Sequence, residues 1–113
     1  MEYQQFEKMV LEVIDNLPES FGQKMENIGL VIDDSELPPK GKLTLGLYQG
    51  VPATRRTFRG RQSMPDKITL YKKAIEKVSR TDQDIRKNVR RVILHEIGHY
   101  FGLDEKRLRE LGY

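Results

Sequence analysis

The chain has two histidines, His95 and His99, four residues apart, with Glu96 directly after the first. On an α-helix this spacing puts both imidazoles on one face, one turn apart, where their ring nitrogens can converge on a single metal ion. Glu96 is then close enough to reach a water on that ion. Such a group suits amide hydrolysis: the metal acidifies the water and polarises a carbonyl, and Glu96 takes the proton and delivers it to the leaving amine. Two histidines dropped at random into 113 residues fall four apart in about 2% of arrangements, and requiring the Glu lowers that to roughly 0.2%.

A catalytic zinc takes three protein ligands and keeps its fourth position for water. The chain has no cysteine, so the missing ligand must come from N or O donors. Gly102, three residues past His99, is placed to end the helix in a left-handed turn, and Asp104 and Glu105 follow it back toward the site. A ligand about ten residues after the first His is a known extension of this motif. Glu105 is the first candidate and Asp104 the alternative; as an ordinary reading, Asp104 caps the next helix. Tyr48, Tyr71, Tyr100, Tyr113, Arg55 and Arg56 are candidate donors for the developing oxyanion, with nothing to rank them.

These residues need a scaffold. Tyr3, Phe6, Met9, Val10, Val13, Ile14 and Leu17 recur at helical spacing and predict an amphipathic helix over residues 2–16, closed by Pro18. A short helical turn is expected within residues 19–27. The apolar run Ile28–Ile32 reads as a buried central strand, residues 43–48 as a second strand whose Gly46 marks a bulge or a close backbone approach, and residues 67–71 as a third. A short helix over 72–78 follows. Thr81, with acids at 82 and 84, opens the main helix that carries His95 and His99, and a last helix covers 105–111. Residues 35–42 read as a loop. So does the long stretch 50–66, where Arg55, Arg56, Arg59 and Arg61 surround Phe58 and could act as a lid or select acidic substrates.

At 113 residues the expectation is one domain, residues 1–113, of the α+β class. No stretch is apolar enough to span a bilayer and no leader is visible, so a cytoplasmic protein without a membrane partner is expected. A net charge of +3 with a third of the residues charged is a statement about solubility, not a nucleic-acid footprint.

The segments 45–52, 65–71 and His95–Glu105 together resemble the small bacterial zincin-like, or minimal metalloprotease-like, family of zinc metallopeptidases, over most of the chain and in the same order. The resemblance implies a minimal zincin-like fold: a small mixed sheet of about three to four strands, packed against an N-terminal helix and the central HExxH helix. It also implies zinc on His95 and His99, with Glu96 as general base. In that family the residue matching Glu105 is commonly Asp. Full metzincins differ by a third His and a longer C-terminal region.

The expected function is a zinc-dependent metallopeptidase acting on a peptide or protein substrate, with a second copy or a partner protein available to complete the cleft. The alternative is a metal-containing module that binds peptides or proteins without turnover. A third reading, nucleic-acid binding through the Arg-rich stretch, rests on one short basic segment.

Overall fold

The protein is described by a computed structural model that covers residues 1–37, 43–50 and 66–113. The Arg-rich stretch around Phe58, with Arg55 and Arg56, lies outside the described residues, as does part of the loop expected at 35–42.

Helix α1 spans Tyr3–Asp15 and buries Phe6, Met9, Val10 and Val13, the stripe expected of a helix with one face on the core. Pro18 then starts α2, Glu19–Met25, by accepting from the N–H groups of Phe21 and Gly22. Strand β1 is Gly29–Asp33, β2 Gly46–Gln49 and β3 Lys67–Tyr71. Helix α3, Lys72–Lys77, follows β3 without a break. Helix α4 is Asp82–Tyr100 and α5 is Glu105–Glu110. Among the described residues no helix is long and apolar enough to cross a membrane.

The sheet is mixed, in the order β1-β3-β2. Strand β1 runs parallel to β3 with Leu30 opposite Ile68, and β2 runs antiparallel to it with Tyr48 opposite Ile68. This corrects one expectation: the central strand is β3, and β1, read as central from its apolar run, is at an edge. The burial follows the pairing. Ile68, Thr69 and Leu70 are all buried, whereas Val31 of β1 is 41% exposed. Thr69 interrupts the apolar run of β3 and conceals its position, because burial depends on which neighbours flank a strand and not on local composition.

Helix α4 joins the helices to the sheet, packing against α1, α2 and α3 and also against β2 and β3. Its first turn is built as the sequence predicts. Thr81 Oγ accepts from Asp84 N–H at 3.1 Å, and the Asp84 carboxylate accepts from Arg80 N–H. Ile85, Val89, Val92, Ile93, Leu94 and Ile97 are buried around it with Phe6, Val10 and Ile75. Gly46 lets β2 lie close to this helix, since a Cβ there would collide with Val92 Cγ1. The expectation of a close approach at Gly46 is met.

One charged cluster lies in the body of the fold. Lys72 is only 4% exposed, with its Nζ 3.1 Å from Glu76 and 3.5 Å from Asp34, and Glu76 also accepts from the Met1 ammonium at 2.7 Å. Burial works to raise the Glu76 carboxyl, but the hydrogen bonds and charges of Met1 and Lys72 outweigh it and hold it below its ordinary value. Burial likewise works to lower Lys72, and Glu76 and Asp34 override it, so Lys72 sits above its ordinary value.

Candidate metal centre

The end of α4 builds the site. Gly102 has φ +84°, the left-handed conformation that spares glycine the Cβ clash. Around it Leu103 N–H donates to the Gly98 carbonyl at 3.0 Å and Gly102 N–H to the His99 carbonyl at 2.9 Å. This paired closure ends the helix and reverses the chain. It also turns the Leu103 carbonyl toward His99, whose Nδ1 lies 3.1 Å from it. A neutral His99 that donates from Nδ1 presents the lone pair of Nε2 to the site, and the same hydrogen bond fixes the ring plane.

Asp104 then caps α5, accepting from Arg107 N–H at 2.8 Å. Its carboxylate is used by the helix, and Glu105, one residue on, is the acid that reaches the histidines. Leu108, fully buried one turn later, packs onto α4 at Gly98, where a Cβ would collide with Leu108 Cδ2. Helix α5 is thereby seated on α4 with Glu105 at its start.

The three donor atoms form a nearly equilateral triangle. His95 Nε2 and His99 Nε2 are 3.2 Å apart, and each is 3.0 Å from Glu105 Oε1. Among the described residues these three side chains form a group that could hold a metal ion. Around a tetrahedral ion with bonds of about 2.0–2.1 Å, ligand atoms stand about 3.3 Å apart, so the triangle is close to the size that zinc requires. With its proton on Nδ1, His99 turns the Nε2 lone pair toward a carboxylate oxygen at 3.0 Å, a contact made favourable by a metal ion between them or by a second proton on Nε2. Desolvation works to raise Glu105, and the hydrogen bonds and charges of His95 and His99 outweigh it and hold its carboxyl below the ordinary glutamate value.

Glu96 faces β2. Leu45 sends its carbonyl into the sheet, accepting from Tyr71 N–H at 3.0 Å, so by alternation the backbone groups of Gly46 and Tyr48 point away from β3. There the Tyr48 N–H donates to the Glu96 carboxylate. Burial raises Glu96, opposed by His99, His95 and this N–H and reinforced by Glu105, and the outcome is a carboxyl above its ordinary value. An elevated carboxyl suits a general base, whose strength peaks when its pKa approaches the working pH.

The candidate oxyanion donors are distributed differently. The Tyr48 hydroxyl donates to the buried Asp66 carboxylate, and its ring meets that of Tyr100 at 5.5 Å. Tyr113 packs edge-on against Phe21, and Tyr71 ends β3 beside Asp33 in a separate cavity. Two contributions have no side-chain signature and escaped the sequence: the Leu103 carbonyl and the Tyr48 N–H. The Tyr48–Asp66 pair, eighteen positions apart, also gave no local signal.

A family model described as zincin-like metallopeptidase matches residues 25–113. The fold is similar to that of a conserved hypothetical protein from Thermo thermophilus, with a TM-score of 0.63 and 23% identity over 89% of this chain and 94% of that one. No curated protein matches the chain.

Proposed function

The chain belongs to the zincin-like metallopeptidase family, and from that premise we propose that it is a zinc-dependent peptide hydrolase with His95, His99 and Glu105 as metal ligands and Glu96 as general base. The observation that carries this reading is the donor triangle. Three atoms of a zinc-binding type lie 3.0–3.2 Å apart, one imidazole is locked by a backbone carbonyl, and a raised carboxyl stands beside them. A structural zinc site has four protein ligands, whereas three leave a position for water.

Bound zinc would acidify a water and polarise the scissile carbonyl. The rest is done by the chain. Glu96, oriented by Tyr48 N–H, takes the proton of the attacking water and returns it to the leaving amine. His99 is held by the Leu103 carbonyl, which fixes its tautomer and plane. The edge of β2 away from β3, where Gly46 directs its backbone groups, can hydrogen-bond an extended peptide and align its amide with the centre.

The test is cleavage of a peptide library by the zinc-loaded protein beside Glu96→Gln. Cleavage by the wild type, reduced by about a hundredfold or more in Glu96→Gln with zinc retained, supports the proposal. A wild type that holds zinc and cuts nothing favours the binding module without turnover.

A further inference from the structure

A groove of about 220 Å³ opens directly beside the centre, lined by Leu45, Gly46, Arg91, Val92, His95 and Glu96. It lies between β2 and α4, next to the point where Gly46 meets Val92. Whole-ligand pockets run to about 300–1,000 Å³, so a space of this size suits one side chain or chain end. Leu45 and Val92 make part of its wall apolar. Besides His95 and Glu96, the charged residue that lines the groove is Arg91, one helical turn before His95 on the same face of α4.

Arg91 is exposed and has no carboxylate partner among the described residues, unlike Arg86, which pairs with Glu12, and Arg107, which pairs with Glu110. A guanidinium with no carboxylate partner among the described residues is a receptor for a planar anion, because it offers two parallel donors in a fixed fork. We propose that this groove is a specificity subsite and that Arg91 receives a carboxylate there. Preferred substrates then carry an acidic group, either a side chain or a terminal carboxylate, beside the amide that is cut. This inference rests on the peptidase reading above and deepens it.

The test measures binding to the zinc-loaded protein by calorimetry, with short peptides that carry a malonyl hydroxamate on their N-terminus as probes. One pair differs only in Asp against Asn beside the hydroxamate, and a second only in a free against an amidated C-terminus. Wild type should bind the acid of at least one pair roughly tenfold more tightly than its neutral partner. That preference should vanish in Arg91→Ala and reverse in Arg91→Glu, with zinc content unchanged, and the responding pair identifies the source of the carboxylate. Equal binding within both pairs, or a preference that survives Arg91→Glu, overturns the inference and leaves the peptidase reading standing. Failure of every hydroxamate to bind a protein that holds zinc overturns both.

Discussion

Leu108 of α5 rests on Gly98 of α4 so closely that a methyl group on Gly98 would run into Leu108 Cδ2. This contact seats α5, and Glu105 stands at the start of that helix. Gly98→Ala should therefore act on the proposed metal centre through the packing of α5. Alanine favours a helix over glycine by up to about 1 kcal/mol, whereas overpacking a buried contact costs about 1–3 kcal/mol. The expected result is a net loss of stability and a roughly tenfold weaker zinc affinity, read by denaturant unfolding of the metal-free protein and by chelator competition.

Leu108→Ala should cost about 2–5 kcal/mol, the range for a fully buried leucine. Combining it with Gly98→Ala should be less damaging than the sum of the two, because the new methyl enters space that the leucine vacates. A double-mutant cycle measures this; strict additivity would mean that the two residues do not press on each other.

Much of this centre was legible in the sequence because its parts are local. The spacing of His95 and His99, the Thr81 cap and the glycine stop at Gly102 all act within one or two turns, and all stand where the pattern puts them. Glu105 and Asp104 were harder to separate, since both follow the same turn. The difference lies in capping: the residue that opens α5 is Asp104, and a cap carboxylate is tied to Arg107 N–H. The order of the sheet was not legible, because the pairing of β3 with both β1 and β2 joins segments distant in the chain.

Thr81→Ala should lower stability by about 0.5–2 kcal/mol, the usual worth of an N-cap, by freeing Asp84 N–H. Zinc content should stay unchanged, because the cap lies at the opposite end of α4 from the histidines. Thermal unfolding with metal analysis checks both statements.

The Lys72–Glu76 cluster sets two limits on stability with pH. The Glu76 carboxyl is lowered from 4.5 on folding, so its contribution is present above that value and is lost as pH falls through the lower, folded one. Lys72 is raised from 10.5, so its contribution is complete below that value and fades as pH rises through the higher one. Urea unfolding across pH should show Glu76→Gln less stable than wild type by about 1–3 kcal/mol near neutrality, with a flatter acid limb. An unchanged acid limb would mean that Glu76 plays no part in the acid limit.

The most direct test of the centre is zinc stoichiometry by mass spectrometry on tag-free protein, for wild type, His99→Ala, Glu105→Ala and Asp104→Ala. The expected result is one zinc per chain in wild type, loss of zinc in His99→Ala and Glu105→Ala, and retention in Asp104→Ala, which instead unfolds about 0.5–2 kcal/mol more easily as a lost cap. A wild type that takes up no zinc when it is supplied, or a Glu105→Ala protein that keeps it while Asp104→Ala loses it, would contradict the ligand set on which the proposed reaction depends.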